Sequence, residues 1–254
     1  MEYPSNLITE SAQMPELPCR TYRQANHEIR SVKLTRALAR RLGRDAGEYV
    51  TVLPMAHAKA QDTIAVLARH LHALLRACDI NGGELLVAGL GNHDYIADAL
   101  GARVIERIVP KFDRTLRLCT IAPRVQGVSG ISSYDVIRGT VHAICPCGVI
   151  AVDTLTTRDP ARLGNCYQMT TAGIRPGSGA NNPQPALNRS TLGVPVIAIG
   201  VPLLISVGAM CNVAPDTQER LQMVTPHSVD QLVETCSERI AGALMRLSER
   251  FPHL

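Results

Sequence analysis

Two aspartates carry the strongest chemical signal in this chain of 254 residues. Asp98 lies just past the run ELLVAGLG and the polar loop Asn92-His93-Asp94-Tyr95, and Asp153 closes the run GVIAVD. Both runs are short, continuous and apolar, which is the pattern of strands buried on both faces of a parallel sheet. In open α/β sheets, ligands and catalytic groups collect beyond the carboxyl ends of the strands, so the two strands bring both aspartates to one edge. Two carboxylates in a partly buried site do not both ionise cheaply, and one keeps a proton. The ionised member can activate a water while the protonated one polarises a carbonyl or protonates a leaving amine. That is peptide hydrolysis by acid–base chemistry, without a metal or a covalent nucleophile. Each aspartate alone also has a structural reading: Asp98 as a favourable charge at a helix N-terminus, Asp153 as the cap of a turn. Spacing by itself is suggestive and no more.

Other residues could serve the same site. His93 stands beside Asp98, and a mixed nitrogen and oxygen set of Asp98, Asp153 and His93 would suit nickel or zinc. A loop histidine with no second histidine nearby is more often simply solvated, so no metal and no cofactor are expected. The loop GIRPGSGANN (173–182) offers backbone N–H groups to an anion or a substrate main chain, with a purely structural turn as an equal alternative; it lacks the residue order of a phosphate loop. From the two loops, Asn92, His93, Arg175 and Ser178 are the substrate-side candidates. No G-x-S-x-G elbow is present and no cysteine ends a polar strand, which argues against a serine or cysteine nucleophile. The eight cysteines contain no C-x-x-C pair. Cys145-Pro-Cys147 is the one close pair, and nothing around it has metal-ligand spacing.

The elements that must position these residues follow from periodicity. Helical spacing of apolar residues predicts helices over about 33–43, 61–79, 97–108, 132–144 and 228–251. Ser132 or Ser133 is the expected cap of the fourth, with Asp135 structural near its start. Strands are expected at 49–53, at ELLVAGLG, at 116–121, at 148–153 and at 194–201. Strands alternating with helices predict an α/β fold, a mostly parallel sheet with helices on both faces, in one domain over 31–254. Residues 1–30 lack clear periodicity and read as an irregular N-terminal arm.

Composition narrows the function classes. With two Phe, six Tyr and no Trp, the chain lacks the aromatic platforms that stack single-stranded nucleic acid, and no direct nucleic-acid binding is expected. The net charge of +4 is uneven: residues 19–44 carry eight Lys or Arg against Glu28 alone. That strip reads as a solvated face around Leu34, Leu38 and Leu42, with a docking strip for an acidic partner as the sharper alternative. Neither a signal peptide nor an apolar run of membrane-spanning length is read, so a soluble, intracellular protein is expected.

Five blocks in these regions resemble a known family. GLGN-x4-ADALG (89–101) is similar to the germination protease segment GLGN…PDALG, and IAPRVQGVSGISSYDVIRG (121–139) to its PGV-G-TGIETSDII-G. VIAVDTLTTR (149–158) resembles IAIDALAAR. TTAGIRPGSGANN (170–182) resembles ISDTGIHPGSGVGN, and STLGVPVIAIGVP (190–202) resembles ETLGIPVIAIGVP. The blocks are collinear and cover roughly half the chain. The resemblance implies a cytoplasmic, spore-core endopeptidase that degrades small acid-soluble spore proteins at germination. It also implies an atypical aspartic mechanism, synthesis as a zymogen, homo-oligomerisation, and a phosphorylase/hydrolase-like three-layer sandwich akin to hydrogenase maturation peptidases. The family's catalytic aspartates fall on Asp98 and Asp153. Departures lie close by. Ser132-Ser133 replaces Glu-Thr, Arg175 replaces a histidine and Ala97 replaces a proline, while the long C-terminal extension is missing. Only Arg20-Thr21 echoes a processing site, without its acidic residue. These departures motivate one alternative, a catalytically inactive, sporulation-associated binding or structural protein; His93 beside Asp98 and the kinship to hydrogenase maturation peptidases leave another, a metal-dependent maturation peptidase.

Overall fold

The computed structural model describes residues 5–11, 17–111, 114–177, 184–211 and 222–250. Among the described residues nine strands form one sheet: β1 (Cys19–Gln24), β2 (His27–Leu34), β3 (Gly47–Pro54), β4 (Gly83–Gly89), β5 (Leu116–Ile121), β6 (Gly148–Thr157), β7 (Tyr167–Thr170), β8 (Val196–Ser206) and β9 (Met223–Val224). Their order is β1-β2-β3-β7-β8-β6-β4-β5, with β9 on β8. The helices are α1 (Arg36–Leu42), α2 (Ala60–Ala77), α3 (Leu100–Arg107), α4 (Gln126–Ser129), α5 (Ser133–Ile144), α6 (Arg189–Leu192), α7 (Val207–Met210) and α8 (Val229–Arg250).

The fold is α/β, as expected, but the sheet is mixed. Only β8, β6, β4 and β5 run parallel. The pairs β1·β2, β2·β3, β3·β7, β7·β8 and β8·β9 are antiparallel. An apolar run shows that a strand is buried and not which way its neighbour points, so the antiparallel wing was invisible in the pattern. The irregular arm also needs correction. Residues 19–30 belong to the β1·β2 hairpin, turned through Ala25 and Asn26 at positive φ. Arg20 and Thr21 lie within β1, paired with Ser31 and Arg30.

Helices cover both faces of the parallel unit. Alternate residues of one strand serve opposite layers, as the two-residue period requires. Leu85, Val87, Ile150, Val152, Ile197 and Ile199 pack with α2, α3 and α8. Leu86, Ala88, Val149, Ala151 and Val196 pack instead against Ile137 and Val141 of α5. Ser132 caps α5 as anticipated, its hydroxyl accepting the Asp135 N–H at 3.0 Å. No helix among the described residues is long and apolar enough to cross a membrane.

Candidate active site

The chain leaves β4 through a turn that only glycine permits. Gly91 has φ of +95°, and a Cβ there would lie 2.0 Å from the Asp98 carbonyl oxygen. A Cβ on Gly101, in the first turn of α3, would likewise meet the Leu90 backbone at 2.4 Å. The spacing G-L-G-x9-G therefore lets the strand end, the loop and the helix start close on one another. A 3-10 turn (Ile96–Asp98) results, with the Asp98 N–H donating to the Tyr95 carbonyl at 2.8 Å. This turn aims the Asp98 carboxyl back at the strand ends, where Oδ2 accepts the Asn92 N–H at 2.8 Å.

Asp153 arrives from the neighbouring parallel strand, within β6 and just beyond its last pairing with β4, at Gly89 and Val152. Its Oδ1 accepts the N–H of Thr154 at 2.9 Å. Both aspartates line one cavity of 480 Å³. Asn92, Tyr95, Ser133, Gln184 and Gly177 share that lining, so the strand ends, the start of α5 and the 173–177 loop all reach it.

The site pushes both carboxyls up. Burial raises Asp98 to about 6, against the opposing Asn92 hydrogen bond. Burial raises Asp153 well above the ordinary carboxylate range; the negative charge of Asp98 adds to this, and the Thr154 hydrogen bond opposes it. Among the described residues no cation contributes to either shift. The order follows from these causes. Asp98 loses its proton first, while Asp153 is still neutral, and the new charge then holds the proton on Asp153. Once Asp98 has ionised, burial and the Asp98 charge both favour the proton staying on Asp153, giving the singly protonated pair that acid–base hydrolysis uses.

The remaining candidates separate. Asn92 is in the cavity and bonded to Asp98. His93 is not in its lining and faces α3, with Nδ1 3.4 Å from Glu106 Oε1. Among the described residues no group of three His, Cys, Asp or Glu is placed to hold a metal ion. Arg175 lines an adjoining cavity of 180 Å³, with Nη2 3.5 Å from Asp45 Oδ1. Ser178 lies outside the described residues. Cys147 donates to the Glu84 carbonyl at 3.0 Å, away from the aspartates.

Sequence reasoning missed Asn6. It lines both cavities and is bonded to β6, although about 150 residues separate them. No local pattern signals such a contact; the only hint was the apolar pair Leu7-Ile8 in an otherwise polar stretch. Both are wholly buried. Glu10 anchors the same segment by accepting the Arg158 N–H at 2.7 Å, with the Arg162 guanidinium 3.5 Å away.

Comparison with known proteins gives the family. The germination protease family profile matches residues 5–218. The germination protease of Clostridium acetobutylicum is 29% identical over 80% of this chain and 79% of its own length. That of Clostridium tetani is 32% identical over 80% of this chain and 67% of its own. The Bacillus subtilis protein is 33% identical over 75% of this chain, which spans only 55% of that longer relative. A hydrogenase maturation protease from Thermococcus kodakarensis aligns over 67% of this chain and 97% of its own, with a TM-score of 0.39 and 19% identity. On the match over most of its length, the chain belongs to the germination protease family and is an endopeptidase.

Proposed function

We propose that this chain hydrolyses small acid-soluble spore proteins during spore germination with Asp98 and Asp153 as a proton-sharing dyad. The observation that supports the reading best is the shared cavity, in which burial raises both carboxyls and the charge of Asp98 raises Asp153 further. Asp98 is the base: ionised near neutrality, it takes a proton from a water that attacks the scissile carbonyl. Asp153 is the acid: it hydrogen-bonds the carbonyl oxygen as charge develops, and the proton it holds serves the departing amine. The polar groups of Asn92 and Gln184 supply positions for the substrate main chain at the rim. The setting is the spore core, and the enzyme works there as a homo-oligomer. The zymogen expectation finds no support at Arg20-Thr21, since a cleavage there would cut inside β1.

The test incubates purified protein with a small acid-soluble spore protein across pH 5–8, beside Asp98→Asn and Asp153→Asn. Cleavage by the wild type and loss of at least about a thousandfold in each variant is expected, because each removes one half of the acid–base pair. Undiminished cleavage by either variant would refute the dyad. Loss of wild-type activity in chelator, restored by nickel or zinc, would replace it with a metal-dependent mechanism.

A further inference from the structure

The ladder of β6 is interrupted at the active site, and the interruption has the shape of a peptide-binding position. In a parallel ladder, alternate residues offer their main-chain groups to opposite neighbours. The Val149 N–H donates to the Pro195 carbonyl, so odd-numbered residues of this stretch face β8 and even-numbered ones face β4. The Val152 carbonyl is taken by the Leu90 N–H at 2.8 Å, where β4 ends. Two residues further on, Thr154 has its N–H closed by Oδ1 of the Asp153 carboxyl. Among the described residues nothing donates to its carbonyl oxygen.

One step further the same edge is filled again, by the N-terminal segment. The Asn6 N–H donates to the Thr156 carbonyl at 3.1 Å. The Asn6 Oδ1 accepts the Thr156 N–H at 2.8 Å and its hydroxyl at 2.9 Å. One asparagine thus meets both main-chain groups of Thr156 as a paired strand would. Asn6 is itself held firmly: its carbonyl accepts from Gln168 Nε2 at 3.0 Å and from Arg44 Nη1 at 3.3 Å. Leu90, Asp98, Asp153, Thr154, Thr156 and Asn6 all line the one cavity.

We infer that a substrate polypeptide adds as a short strand to this edge, donating one backbone N–H to the Thr154 carbonyl, and that Asn6 is the stop that fixes its register. This rests on the peptidase reading above and adds the binding mode to it. The open position lies between two closed ones, beside the dyad. A chain seated there has one register that brings its carbonyl to Asp98 and Asp153. Strand addition draws on main-chain groups that every residue carries, so recognition at this point is of an extended backbone rather than of one side chain. Asn6 is a positioning residue in this scheme: it acts on where the chain stops, not on the bond that breaks.

The test has a binding arm and a cleavage arm. The binding arm uses the Asp98→Asn protein and a fluorescent peptide from a small acid-soluble spore protein, with each backbone amide replaced in turn by an ester. One replacement should weaken binding about tenfold, the effect of losing a single hydrogen bond, and those on either side should not. Uniform sensitivity, no sensitive position or no binding at all would overturn the proposal. The cleavage arm compares the wild type with Asn6→Ala, whose Tm establishes that it is folded. Freeing the Thr156 N–H and hydroxyl, with only the residue-6 main chain left on the carbonyl, should weaken the stop, so a second set of products should appear beside the wild-type cut, displaced by two residues. A slower Asn6→Ala enzyme that cuts only at the original bond would make Asn6 merely structural. Binding with one sensitive amide by a protein whose wild type cleaves nothing would remove the peptidase reading and leave the docking site standing.

Discussion

Replacing Asp98 by asparagine should abolish activity and yet stabilise the fold at neutral pH. Asp98 titrates at about 6 instead of 3.8 because burial penalises its charge. Its folded-state value lies above the unfolded one, so the native state binds this proton more tightly than the unfolded chain does. The wild type therefore loses stability as pH rises from 3.8 to about 6, and above that range the penalty is constant. At full ionisation the penalty is about 3 kcal/mol. The amide keeps an oxygen for the Asn92 N–H, but it has a desolvation cost of its own and the site is not wholly dry. A net gain of about 1–3 kcal/mol remains. For a chain of this size that is a rise in Tm of roughly 2–6 °C. The assay is thermal unfolding of both proteins in a buffer series from pH 4 to 8. The two curves should lie closest at the acid end and separate between pH 4 and about 6, with the variant higher. A Tm difference independent of pH, or a variant less stable at pH 7.5 than the wild type, would refute the assignment of Asp98 as a buried, strained carboxylate.

Further outcomes follow from the same geometry. The rate of peptide cleavage should rise with pH through about 6, as Asp98 ionises, and fall at higher pH as Asp153 loses its proton; a pH–rate profile with a single acidic limb and no fall would show that Asp153 holds no essential proton. Gly91→Ala should cost at least about 2 kcal/mol, from a positive φ and a Cβ 2.0 Å from the Asp98 carbonyl oxygen; a urea midpoint equal to wild type would contradict it. Leu7→Ala should cost about 2–5 kcal/mol, the range for emptying a buried leucine site, if the N-terminal segment is as integral as its burial indicates; a small effect in the same urea experiment would mean that the segment is loosely held.

The linear sequence determined much of this protein because its central features are local. The apolar cores of ELLVAGLG and GVIAVD are buried on both faces, which made two central strands readable; β6 runs on to Thr157, so Asp153 lies within the strand and beyond only its pairing with β4. The Ser132 cap was equally local, a hydroxyl three residues from the N–H it meets. What only the tertiary structure decided depends on partners far along the chain. The direction of β7 beside β8 leaves no mark in apolar pattern, so the sheet is mixed where it was read as mostly parallel. His93 and Arg175 stood near the site in the sequence, but the fold gives them Glu106 and Asp45 instead. Asn6 closes the edge of β6 across about 150 residues. The proton order of the dyad was also beyond the sequence, because it comes from how deeply each carboxyl is buried and from the charge one places on the other. Residue types and spacing single out the two candidate carboxyls; burial and long-range pairing set their electrostatics and leave one stretch of the β6 edge open.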